Sequence, residues 1–203
     1  MTQPPFNNPV LRRGQRLLIA AAVIALNIAT PARAARLEVD TDHSTITVHV
    51  FKSGLFRAFA DNHEIKAPIK AGVVDDGATS GVQFVVDAQG MLVLDPGLSP
   101  HDRDQVQTRM LGSEVLDVNR FPEIRLESTS VDPVESGGWV VRGQLTLHGQ
   151  TRTVTVKVVR AQGHYKGTAS LKQTSFGITP IVIAGGTVKV KDDVTIEFDV
   201  VTR

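Results

Sequence analysis

The sequence predicts a mainly all-β domain of about eight antiparallel strands with one α-helical insertion, either closed as a barrel or packed as a sandwich. Three observations predict it. Residues 137–160 alternate with strict period two through two consecutive arms. The same alternation recurs along most of the chain between short turn signals. One stretch alone, opening at Ser99-Pro100, changes to helical spacing.

The central hairpin is the clearest element. Trp139, Val141, Leu145 and Leu147 share one face, with Gly143 between them, and Arg142, Gln144, Thr146 and His148 share the other. In the second arm Val154, Val156 and Val158 oppose Thr153, Thr155 and Lys157. Such alternation marks a half-buried antiparallel pair. His148-Gly149-Gln150-Thr151 reads as a four-residue loop whose glycine supplies a positive φ.

In chain order, a first strand is expected over 44–51, with Ile46, Val48 and Val50 on one side, ended by Ser53-Gly54. The next spans 63–71, where His63, Ile65, Ala67 and Ile69 share a face and Pro68 marks an edge or bulge. Asp75-Asp76-Gly77 turns the chain into Val82, Phe84 and Val86, and a short apolar piece, Met91 to Leu94, follows. Ser99 is a good N-cap, Pro100 suits the first helical position, and Asp102 lies three residues after the cap. Val106, Met110 and Leu111 share the helix's apolar face, Gly112 ends it, and a short turn runs from Ser113 to Leu116. Strands resume at 123–131, with Ile124 and Leu126 inward, and at 164–172, with Tyr165, Gly167, Ala169 and Leu171 on one face. The chain ends in an expected hairpin with Val188 and Val190 in one arm. An Asp192-Asp193 turn joins it to Val194, Ile196, Phe198 and Val200.

Composition sets the bounds. The 203 residues suit one domain, with no internal repeat or low-complexity linker. Arg12, Arg13 and Arg16 precede an apolar run from Leu17 to Leu26, and Ala32-Arg33-Ala34 fits small-x-small cleavage. Residues 1–34 therefore read as a cleaved signal peptide, residues 35–203 as the mature domain, and the destination as the periplasm. With the leader's four arginines removed, 18 basic residues face 21 acidic ones, a net charge of −3. That balance gives no electrostatic footprint for nucleic acid and no polybasic membrane anchor. The absence of cysteine excludes disulfides, thiolate zinc sites and cysteine nucleophiles.

On the inward faces Ala67, Gly143, Gly167 and Ala169 interrupt large side chains. A solid core places Leu, Ile or Phe at such positions. The expectation is therefore a barrel with interior volume for a ligand, the alternative being bulky neighbours that reach over the gaps. Catalytic motifs are missing. No Gly-x-Ser-x-Gly, phosphate-binding glycine loop or dinucleotide fingerprint occurs, and no carboxylate dyad can be named. Of the six histidines, His63 is singled out because parity turns it inward within Asp61-Asn62-His63-Glu64. There it would meet a ligand's head group, hold a metal, act as an acid/base, or simply bond a neighbouring carboxylate. His101 and Arg103 stand in the first helical turn, where free N–H groups favour an anion.

Four stretches, in order, resemble the YceI-like proteins, the periplasmic polyisoprenoid-binding family. They are Asp42-His43-Ser44-Thr45-Ile46-Thr47-Val48; Val115-Leu116-Asp117 leading to Phe121-Pro122-Glu123-Ile124 and Leu126-Glu127-Ser128; Gly143 to Thr151; and Phe176-Gly177-Ile178. The resemblance covers Leu37 to Val201. The chain departs from the family's pattern where Gln173-Thr174-Ser175 separate Lys172 from Phe176, and at Asp61 to Glu64. The resemblance implies a lipocalin-like, extended antiparallel barrel that holds an isoprenoid or fatty-acid-like amphiphile, binds rather than catalyses, and needs no cofactor or metal. On that reading Phe56, Phe59, Phe84, Trp139, Leu145 and Phe176 are candidate wall residues, and His63, Arg103 and Lys172 are candidates for the mouth. The competing expectations are a metal-binding or acid/base enzyme centred on His63, and a partner module for a membrane protein such as a cytochrome. A homodimer is compatible with all three.

Overall fold

The computed structural model describes residues 36–53, 62–75, 80–135, 137–183 and 188–203. The expected leader, Gly54, Phe56, Phe59, Asp61 and the turn at Asp76-Gly77 lie outside the described residues.

The strands are β1 (Arg36–Glu38), β2 (Thr45–Ser53), β3 (His63–Lys66), β4 (Ile69–Asp75), β5 (Gly81–Asp87), β6 (Leu92–Val93), β7 (Glu123–Pro133), β8 (Trp139–Leu147), β9 (Gln150–Ala161), β10 (His164–Lys172), β11 (Val182–Ile183) and β12 (Val188–Val201). One helix, α1 (Pro100–Leu111), lies between β6 and β7. All twelve strands belong to one antiparallel sheet, ordered β1-β4-β5-β7-β8-β9-β10-β12-β2-β3-β6, with β11 beside β12.

This path closes on itself. Val39, just past β1, pairs with Thr202, just past β12. The Asp40 N–H donates to Val201 O at 2.8 Å, and the Arg203 N–H donates to Glu38 O at 2.9 Å. Thus β1 and β2 lie end to end along one wall position, with β4 and β3 along the next and β5 and β6 along the third. Each division has a local cause. Asp40 Oδ1 accepts the N–H groups of Asp42 and His43, which turns the chain between β1 and β2. Pro68 cannot donate to a ladder and separates β3 from β4. Asp87 Oδ1 accepts the Gln89 N–H at 3.1 Å and turns the chain after β5. When each divided position is counted once, the ring has the positions β1/β2, β4/β3, β5/β6, β7, β8, β9, β10 and β12, the number the alternation led us to expect.

The helix starts as its sequence dictates. Ser99 Oγ accepts the Asp102 N–H at 3.2 Å and donates to the Asp102 carboxylate at 2.8 Å. Met110 of the helix, with Leu116 and Val118 from the turns that follow it, closes one end of the ring, joining Ile65, Ala67, Met91 and Ile178 in a buried cluster. Gln107 fixes the helix against β6, donating to Met91 O and accepting from Val93 N–H, each at 2.8 Å. A second cluster of Val39, Ile69, Val74, Tyr165 and Val200 lies towards the opposite end.

Three expectations are corrected. The link between β8 and β9 is a two-residue turn, with Leu147 paired to Gln150. His148 and Gly149 both have positive φ, 50° and 71°, the mirror-image turn that matches the twist of a two-residue hairpin. Gln162 and Gly163 repeat the device between β9 and β10. Next, Asp192 and Asp193 are no hairpin tip: β12 runs through them, with a register shift between Val190 and Val194. Asp192 instead holds a 3-10 turn over Gln173–Phe176, accepting the Thr174 N–H and hydroxyl at 2.8 Å each. Finally, Gly143 and Gly167 are not gaps. A Cβ at Gly143 would stand 2.6 Å from the Glu127 carbonyl oxygen, and one at Gly167 would stand 2.2 Å from the Lys157 carbonyl oxygen and 2.6 Å from the Phe198 ring. Phe198, opposite Gly167 in register, covers it.

Two outcomes follow. A Cβ at Gly149 meets the Phe121 ring at 2.5 Å, whereas one at Gly163 meets nothing within 4 Å. Denaturant titration is therefore expected to show Gly163→Ala losing about 1 kcal/mol from backbone strain alone and Gly149→Ala losing about 2–3 kcal/mol. The Thr174 backbone N–H, more than any other group, holds the Asp192 carboxyl below its ordinary value of 3.8. A depressed carboxyl stabilises the fold above its unfolded value and loses that contribution as pH falls through the folded one. Thermal melts of wild type and Asp192→Asn should therefore converge as pH drops below about 4.

Candidate functional site: an apolar cavity along the barrel

The inward faces enclose a cavity of about 490 Å³. Its wall follows the period-two reading closely. Ile46, Val48 and Val50 come from β2; Val82, Phe84 and Val86 from β5; Ile124 and Leu126 from β7. Trp139, Val141, Leu145 and Leu147 come from β8, and Val154, Val156 and Val158 from β9. Ala169 and Leu171 of β10 and Val194, Ile196, Phe198 and Val200 of β12 complete the ring. Many of these side chains are only half-buried, because they face the cavity rather than one another. β-Branched residues dominate, since they fit a pleated strand and present a stiff apolar surface.

The two ends differ. Met91, Met110, Val115, Leu116 and Ile178 line the helix end. The other end lies where β4, β7 and β9 finish and β5, β8 and β10 begin. There Asp75, Ser80 and Arg160 join the lining beside Trp139 and Tyr165. The Trp139 and Tyr165 rings are 6.0 Å apart, and the Arg160 guanidinium carbon lies 5.4 Å from the centre of the Tyr165 ring.

The structure sorts the residues singled out from the sequence. Phe84, Trp139 and Leu145 line the cavity. His63, Arg103, Lys172 and Phe176 do not. His63 Nδ1 is 2.5 Å from Asp95 Oδ2, and Asp95, 3% exposed, accepts the Glu64 N–H on its other oxygen at 2.8 Å. This pair joins β3 to the loop before α1. No group of three or more His, Cys, Asp or Glu side chains suited to a metal occurs among the described residues. The Arg103 guanidinium donates from Nη2 to Leu98 O at 3.3 Å, while its Nε is buried without a partner. Lys172 points outward, 3.2 Å from an Asp193 carboxylate oxygen. Phe176 is 2% exposed and accepts a hydrogen bond from His148 Nδ1 on its carbonyl at 3.1 Å. It sits by a groove lined from both β9 and β10, where the two strands are no longer paired.

Sequence reading overlooked Arg160, Asp75 and Ser80. For Arg160 the signal was present: it continues the inward parity of Val154, Val156 and Val158. For Asp75 and Ser80 the turn assignment at Asp75-Asp76-Gly77 hid it.

Comparison with known proteins supplies the family. The YceI-like domain model matches residues 37–202. The chain belongs to the YceI-like family. Among solved structures this YceI-like chain is similar to Burkholderia cenocepacia BcnA, at 21% identity and a TM-score of 0.58, covering 80% of this chain and 98% of that one. It is also similar to a polyisoprenoid binding domain from Saccharophagus degradans implicated in plant cell wall breakdown. That likeness is at 14% identity and a TM-score of 0.51, covering 83% of this chain and 97% of that one. At these identities the likeness is one of fold. No curated protein matches the chain.

The His63–Asp95 pair gives a stability test. Asp95→Ala strands both the His63 ring and the Glu64 N–H and should lose about 2 kcal/mol in urea unfolding. Asp95→Asn, which still accepts from Glu64, should lose less.

Proposed function

We propose that this protein carries a long-chain amphiphile, a polyisoprenoid or fatty-acid-like lipid, with its apolar chain inside the barrel. The observation that carries the reading is the cavity of about 490 Å³ whose wall is built almost wholly of Val, Ile, Leu and Phe side chains. Volumes of this order suit small-molecule binding. Each CH₂ moved from water into such a site is worth about 0.8 kcal/mol, so a long chain is held tightly without any covalent step. The description of the Saccharophagus degradans relative as a polyisoprenoid binding domain supports the same class of ligand. The role is binding and carriage rather than catalysis. The basic and apolar pattern of residues 1–34 supports export to the periplasm, where such chains need a soluble carrier.

Native mass spectrometry of protein purified from periplasm without detergent tests this reading. The expected spectrum shows a polypeptide beginning at Ala35 with a discrete extra mass that is lost on denaturation. A bare mass, with no rise in melting temperature on adding palmitate, hexadecanol or a polyprenol, would overturn it. Ala169→Phe places a ring in the volume of several CH₂ groups and should weaken binding at least tenfold while the fold persists.

A further inference from the structure

The polar residues of the cavity lining are few and uneven. They are Asp75, Ser80, Arg160 and Gln173. Gln173 stands near the helix end and spends its amide on Lys191 O, at 2.8 Å. Asp75 and Ser80 each engage a partner of their own. Arg160 is different. Among the described residues its guanidinium has no hydrogen-bond or ion-pair partner, only the face of Tyr165. The Tyr165 hydroxyl and the Trp139 indole N–H also have no hydrogen-bond partner among the described residues, and neither atom is sealed from the open space of the mouth, although the Tyr165 side chain as a whole is buried. Tyr and Trp place an apolar body against the wall and keep a polar tip free to bond at a wet edge. Here three unspent donors cluster at one mouth, on the neighbouring strands β8, β9 and β10.

Register explains the cluster. Tyr165 pairs with Arg160 across the β9–β10 ladder, and Trp139 pairs with Val158 across β8–β9. Stacking on Tyr165 holds the guanidinium over the ring while its edge N–H groups stay available. Asp75, on β4, is four positions away around a ring of eight, on the far side of the mouth. The helix end offers only apolar side chains and a committed glutamine.

The geometry points to a head-group site at Arg160. The ligand is an amphiphile with an anionic head, a carboxylate or a phosphate, held by Arg160 beside Tyr165 and Trp139, with its apolar chain running towards α1. The inference rests on the cavity reading above and adds the ligand's charge and its direction in the barrel. A guanidinium is suited to both heads, because its N–H groups form a planar fork that two oxygens can meet together.

Equilibrium binding of three probes with one alkyl chain tests it: palmitate, hexadecyl phosphate and hexadecanol, each with wild type and with Arg160→Gln. Arg160 is solvent-exposed at a strand end, so the variant keeps the fold, which a thermal melt verifies. Wild type is expected to bind at least one anionic probe about tenfold more tightly than the alcohol, the scale of one partly solvated charge-assisted hydrogen bond. Arg160→Gln should erase that preference, weakening the anionic probes about tenfold relative to hexadecanol. The probe that loses more distinguishes a carboxylate head from a phosphate head. Equal binding of all three probes, unaltered by Arg160→Gln, overturns the head-group site and leaves the cavity reading standing. Failure of every probe to bind overturns the cavity reading and this inference with it.

Discussion

The constraint on which the structure depends is the alternation of side chains along a sheet that returns to its own beginning. A strand with one apolar face must cover that face. In this chain the covering surface is the same sheet, curled through its ring positions until β1 and β12 meet. Closure removes the free edge along most of the wall. It also fixes an interior whose width is set by strand number and tilt, not by the side chains that line it. Residues such as Val154, Val156, Val194 and Ile196 are too short to fill that width, and the cavity is what remains.

The two ends of the barrel have been treated differently by the sequence. At one end the chain inserts α1 and folds Met110, Leu116 and Ile178 over the interior. At the other it leaves Trp139, Tyr165 and Arg160 at the rim. An amphiphile has the same asymmetry, with one end that water disfavours and one that it favours. The barrel is therefore polarised before any ligand enters, and the direction is written in the inward parity of β9, which changes from valine to arginine at its last inward position.

The walls were legible because period two requires only local information. Every large inward residue assigned to β8 and β9 borders the cavity, as do Val194, Ile196, Phe198 and Val200 of β12. What was not legible depends on distant partners. The small size of Gly143 and Gly167 is explained by the Glu127 carbonyl and the Phe198 ring, which sequence spacing does not bring near them. His63 has the right parity for the interior, but Asp95, far along the chain, captures its ring. Asp192-Asp193 has the composition of a turn, yet Asp193 pairs with Lys172 on β10 and the Asp192 carboxylate is engaged by Thr174, so β12 continues through them past a register shift against β2. Pro68 was recognised as an interruption, although nothing local shows that its neighbours on either side divide at the same level.

The join between β1 and β12 has a kinetic side. Ser44 Oγ accepts the Val201 N–H at 2.9 Å, and Val39 and Thr202 complete the bridge, so residues from opposite ends of the domain are zipped together. Contacts of such separation carry the loop-closure entropy of nearly the whole chain and slow folding. A nascent chain that still lacks Val201 to Arg203 has every hairpin available but two open edges. The barrel wall becomes continuous only when Val201 to Arg203 reach Glu38 to Asp40, which makes these residues the latch of the barrel.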